Sequence, residues 1–191
     1  GDFTRSGAKN EDPLDELMVI DLEDGTISLY QKSRRLARHK NLSFPDKKEL
    51  EAIGATRIAA AVSIVPDGTT QVLVWHKREF PGADKKQTVI SYRATVFKAI
   101  GDHIGAPLDR EIARATVTNG KGKGAAPTPT LTATLEPVQK DQFTRFLYTP
   151  LRADGTPQKS KQLQLRWNQW EGVFRHPRPV PTAPKRDKPQ T

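Results

Sequence analysis

Cysteine is missing from this chain altogether. Disulfides, thiolate nucleophiles and cysteine-bound zinc are thereby excluded, and the redox compartment leaves no mark on the sequence. Long apolar runs are missing too. None approaches the roughly 18 residues that a membrane-spanning helix needs, and no signal-like apolar segment precedes a small-residue cleavage site. The expectation is a soluble protein with no membrane partner, with a virion, the cytoplasm or the nucleus favoured over secretion.

Catalytic patterns are equally scarce. The four histidines, His39, His76, His103 and His176, stand far apart and form no H-x-x-x-H or H-E-x-x-H spacing, so neither a metal nor another cofactor is expected. No G-x-S-x-G elbow occurs. The glycine-rich stretch from Gly120 to Gly124 lacks the G-x-x-x-x-G-K-[ST] order of a phosphate-cradling loop, and Pro127 and Pro129 stand where a helix should begin. Carboxylate pairs such as Asp21/Glu23 and Asp102/Asp109 have no spacing that separates acid–base work from solvation. No catalytic residues are predicted, and an enzyme is not expected.

What is present is positive charge. The 191 residues carry a net charge of +9, with a pI near 9.9. Its distribution is uneven. Eight acids crowd residues 1–24 against Arg5 and Lys9 alone, so residues 25–191 carry +15. A field of that sign attracts polyanions and speeds their encounter. The blander reading is a basic surface kept for solubility. Hydrophobic residues make up only 35% of the chain and the mean hydropathy is −0.65, so any core must come from clustered apolar segments.

Those segments read as hairpins. Ile58, Ala60, Val62 and Ile64 alternate with their neighbours, as do Val72 and Val74, on either side of Pro66-Asp67-Gly68-Thr69. Period-two alternation around such a turn predicts a β-hairpin with one buried face, and its apolar character predicts a place at the centre of a sheet. Asp-Gly-Thr recurs at 24–26 and 154–156. The first predicts a hairpin over Met18–Tyr30, the second a long hairpin of arms 141–152 and 161–170. The flanking residues differ, so this is shared turn chemistry and not a repeat.

Asp46 is placed to cap a short helix over Lys47–Ile53, and Gly54 to end it. Residues 87–97 fit a strand through their β-branched content, with a helix as the alternative. Leu108–Thr118 is expected to open as a helical turn capped by Asp109 and to end as a strand. Thr130–Glu136 alternates as a single half-exposed strand. The predicted fold is mainly β, an antiparallel sandwich or barrel built from hairpins with one or two short helices and extended termini; an α+β architecture is the alternative. The chain divides into a tail over 1–13, one β-rich domain over 14–175, and a tail over 176–191 whose five prolines and cations predict an extended segment.

Candidate contacts to nucleic acid follow from the cations. Residues 31–41 hold Lys32, Arg34, Arg35, Arg38, His39 and Lys40. As a helix, this run would set Arg34, Arg35 and Arg38 on one face, as phosphate contacts require; the bland alternative is a solvated surface. Lys77 and Arg78 follow Trp75 at the end of the central hairpin, Lys121 and Lys123 lie in the glycine loop, and Lys185 and Arg186 in the tail. Trp75 and Trp167 stand beside cations, a pairing that suits stacking of unpaired bases, yet each alternates with leucines as core residues do. The expected function is a nucleic-acid-binding structural subunit, of coat or nucleocapsid type, that self-assembles around RNA or DNA. A single-strand-binding accessory module and a protein-interaction module with a Pro-rich tail are the alternatives.

Overall fold

The computed structural model describes residues 16–31, 34–62, 71–84, 86–100, 103–118, 128–140, 143–168 and 171–176. Both predicted tails lie outside these residues apart from His176, as do Lys32, the Pro66–Thr69 turn and the glycine loop with Lys121 and Lys123. The fold is mainly β, with all strand pairs antiparallel in three sheets, one of them curled into a half-barrel.

The first sheet, of order β1-β2-β3, holds β1 (Glu16–Asp21), β2 (Thr26–Gln31) and β3 (Arg34–His39). The expected hairpin around Asp24-Gly25-Thr26 is there. The Asp21 carboxylate accepts from the N–H groups of Glu23 and Asp24, both at 3.0 Å, and Gly25 adopts φ +62°. Glycine is also required by space: a Cβ on Gly25 would stand 2.0 Å from the Leu42 carbonyl oxygen.

β3 overturns the helical expectation for residues 31–41. β2 offers an open edge with apolar residues on its inner side, so the backbone of the basic run pairs there, and Ala37 is buried opposite Leu29. A bulge leaves Leu36 as an extra residue between the pairs Leu29–Ala37 and Tyr30–Arg35.

The middle layer is the five-stranded sheet β4-β5-β6-β7-β8, made of β4 (Ala59–Val62), β5 (Gln71–Pro81), β6 (Gln87–Ile100), β7 (His103–Thr118) and β8 (Thr130–Leu131). The expected β4–β5 hairpin forms, but not at the centre. β4 is the edge and β6, 14 residues long, is central, paired with β5 on one side and β7 on the other. β6 is therefore a strand beyond Phe97, and the α+β alternative falls. β7 is a strand throughout. Asp109 caps no helix, since its carboxylate is used across the sheet by Arg93 and Thr95.

The stretch 130–136 is not one strand. It breaks at Thr132, where the chain leaves β8 and enters the third sheet, whose order is β12-β11-β10-β9. That sheet comprises β9 (Ala133–Lys140), β10 (Phe143–Pro150), β11 (Leu163–Asn168) and β12 (Val173–Arg175), and its β10–β11 pair is the third expected hairpin.

One face of the middle sheet meets the first sheet over Ile27, Leu29, Val72, Val74 and Phe97. The other face meets α1 (Lys47–Ala52), through Leu50, Ile53, Tyr92 and Ile112, and the third sheet, through Val96, Leu108, Phe146 and Leu165. The predicted capping box of α1 is complete: Asp46 accepts from the Glu49 N–H at 2.9 Å, and the Glu49 carboxylate accepts from the Asp46 N–H at 2.7 Å.

Candidate nucleic-acid interface

Directly opposed residues of antiparallel strands share a face, and this sorts the candidate cations. Arg38 lies opposite Ser28 and Arg35 opposite Tyr30. Ser28 and Tyr30 are two apart on β2, so the bulge at Leu36 sets Arg35 and Arg38 on the same side, although they are three apart on a strand. Arg34, opposite Gln31, belongs to the other side. Arg34, Arg35, Arg38 and Lys40 are all exposed, and Arg38 makes one long ion pair with Asp24 at 3.5 Å.

The same rule applied to β5, β6 and β7 assembles a polar patch that residue spacing does not reveal. His76 lies opposite Arg93, Arg78 opposite Ser91, and Thr95 opposite Asp109. A second bulge, at Ile112 of β7, sets the register that brings Asp109 opposite Thr95. The Arg93 guanidinium donates to Asp109 at 2.7 Å and the Thr95 hydroxyl donates to the same oxygen at 2.8 Å. With its proton so spent, the Thr95 oxygen accepts from His76 Nε2–H at 2.8 Å. This fixes the His76 tautomer and leaves its Nδ1 buried with no hydrogen-bond partner among the described residues. Arg78, nearly half exposed, reaches the second Asp109 oxygen at 3.4 Å.

Burial pushes the Asp109 carboxyl up, but the hydrogen bonds from Arg93 and Thr95 and the charges of Arg93 and Arg78 outweigh it, and the net shift is downward. His76 is lowered to about 4, first by burial and then by Arg78, Arg93 and His39, against the opposing pull of Asp109. His39 of β3, packed on the Phe97 ring at 4.9 Å, is lowered by burial and by the charge of Arg78. His39 lies opposite Ile27, on the inner side of β3, and so faces the middle sheet, whereas Arg35 and Arg38 face away from it.

Lys77 is a different case. It points to the opposite face, where its ammonium donates to both oxygens of Glu49 at 3.0 and 2.8 Å. Tyr92 donates to the same carboxylate at 2.6 Å, and burial, then this bond, raises the phenol above its ordinary range. Trp75 and Trp167 are partly buried against the core, Trp167 edge-on to Phe174 at 5.4 Å. Trp75 helps line an apolar cavity of about 320 Å³ between α1, the middle sheet and β9, with Ile53, Leu73, Ala94, Leu135 and Phe146. Lys185 and Arg186 lie outside the described residues. No protein-family model, curated protein or solved structure matches the chain.

Proposed function

We propose that this chain is a nucleic-acid-binding structural subunit, of coat or nucleocapsid type, which associates with copies of itself around RNA or DNA. The observation that carries the reading is the pair of exposed arginines that the β3 bulge sets on one side of the first sheet, Arg35 and Arg38, with Arg34, Lys40 and Arg78 exposed elsewhere on the described surface. Asp24 and Asp109 offset part of that charge, and the remainder is positive. Side chains of this length on one surface match what phosphate oxygens need: position and charge, without base recognition. The partial burial of Trp75 and Trp167 gives less support to a base-stacking module.

The test is binding of the purified, nuclease-treated protein to a single-stranded oligonucleotide across a salt series. Tight binding at low salt is expected, with a logarithmic salt slope that falls by about 0.7 for each phosphate the protein no longer neutralises. Arg35→Ala combined with Arg38→Ala should lower both affinity and slope. No binding at low salt, or an unchanged slope in the double variant, overturns the reading.

A further inference from the structure

We propose that β1 is a seam at which two copies of this chain join edge to edge, with Val19 facing the second copy's Val19. The inference deepens the self-association part of the proposed function and rests on that reading.

Among the described residues β1 is paired with β2 alone, so one row of its backbone N–H and C=O groups faces outward. Open edges of this kind template pairing with another chain unless something blocks them. The other edges of the described sheets are blocked. β8 and β12 run for only two and three residues, and β4 for four among the described residues. β9 carries Pro137 in mid-strand, and β3 is bulged and lined with arginines. β1 is six residues long, Glu-Leu-Met-Val-Ile-Asp, with no proline, glycine, cation or bulge. Its outward side also exposes apolar residues: Leu17 is 59% exposed, Val19 39%, and the adjoining Leu22 54%.

The pleat then selects the occupant and the register. Met18 and Ile20 pack on the core, so Leu17, Val19 and Asp21 share the outer side. Residues opposed across an antiparallel seam must share a side, so odd positions meet odd ones. Two two-fold registers keep five residues of the strand paired. Centring on Met18 sets Glu16 against Ile20, an acidic position opposite one that packs on the core. Centring on Val19 sets Leu17 against Asp21, Met18 against Ile20, and Val19 against itself, so that the pair on the core side is apolar and the acid lies on the outer side. A second copy is thus a self-complementary partner for this edge, in the isologous manner of two-fold dimers. The joined sheet runs β3-β2-β1-β1-β2-β3 and leaves both basic strands at its outer margins, free to meet one polyanion.

The chain's lack of cysteine makes the test direct. Leu17→Cys, Val19→Cys and Asp21→Cys are made singly, with Ser160→Cys as an exposed control, and each is oxidised mildly without nucleic acid. Val19→Cys is expected to form covalent dimer at least about tenfold faster than the other three, as the effective concentration at a two-fold contact requires. Mixing Leu17→Cys with Asp21→Cys should give the mixed dimer. Equal rates at all positions, or no dimer from Val19→Cys, overturn the proposal. As a second measurement, Val19→Lys should lower the mass seen by light scattering while leaving oligonucleotide binding intact. If Val19→Cys fails to cross-link while binding persists, the seam alone falls. If it cross-links but nucleic acid is not bound, the nucleic-acid reading falls and the seam stands.

Discussion

Lys77 and Arg78 are neighbours in sequence, carry the same charge, and end on opposite faces of β5 in environments that share almost nothing. Lys77 faces a carboxylate with 4% of its side chain exposed, held from three directions by the ammonium, the Tyr92 hydroxyl and the Asp46 N–H. Every oxygen of Glu49 is occupied, and its contacts tie α1 to β5 and β6. Arg78, 45% exposed, shares Asp109 with Arg93 and Thr95, and the chain of contacts ends at a histidine nitrogen with no hydrogen-bond partner among the described residues. The first site is closed and structural, while the second is partly open to solvent through Arg78. A pair of basic residues in a strand is thus split by the pleat into one that stabilises the fold and one that meets solvent.

The largest effect should come from the closed site. Glu49→Ala removes the acceptor from a largely buried ammonium and a buried phenol, and breaking such a pair costs roughly 3–5 kcal/mol. Asp109→Ala should cost less, about 1–3 kcal/mol, because Arg78 can turn to water. Urea unfolding at neutral pH measures both through the midpoint, with the m-value unchanged. Equal losses would erase the distinction between the two faces.

Next comes acid, which should act on the second site through His76. The folded His76 titrates at about 4, against an ordinary value of 6.5. Above pH 6.5 the imidazole is neutral in both folded and unfolded chains, and stability is full. Between 6.5 and 4 the unfolded chain takes up the proton and the folded chain does not, so stability falls as pH falls, by roughly 3 kcal/mol over the window. Below 4 this contribution is flat. Asp109, lowered itself, loses its stabilising charge only deeper in acid. His76→Gln should remove most of the slope and leave the smaller share that His39, shifted in the same direction, contributes. A wild-type chain whose stability is level from pH 6.5 to 4 would show that His76 is not buried neutral.

The two sites also differ in how far the sequence announces them. Local chemistry is legible: Asp46 with Glu49 three residues on predicts the capping box, and Asp-Gly-Thr predicts the turns at 24–26 and 154–156, its two occurrences within the described residues. Identical turn signals nonetheless hide different demands. Gly25 sits against the Leu42 carbonyl, whereas a Cβ on Gly155, at φ +82°, would meet nothing within 4 Å. Contacts that depend on register are not legible. Glu49 meets Tyr92 across 43 positions, and Asp109 reaches Thr95 only because a bulge at Ile112 shifts the pairing. The arginine run misleads for the same reason, since charge spacing alone fits a helix, while the open edge of β2 pulls it into a strand.

The smallest effect is the one that separates structure from function. Lys77→Gln and Arg78→Gln each remove one positive charge from adjacent positions and keep a hydrogen-bond donor. If Arg78 contacts phosphate, Arg78→Gln should lower the logarithmic salt slope of single-strand binding by about 0.7, the increment of a single neutralised phosphate, with little loss of stability because its ion pair is half solvated. Lys77→Gln should do the reverse, lowering the urea midpoint while the slope stays at the wild-type value, because the charge it removes already belongs to Glu49. Measuring slopes well below either unfolding transition keeps the two effects apart. Equal slopes for both variants and wild type would take Arg78 out of the interface and leave β3 to carry it. A slope lowered by Lys77→Gln instead would mean that the polyanion meets the α1 face of the sheet, the side where the apolar cavity opens.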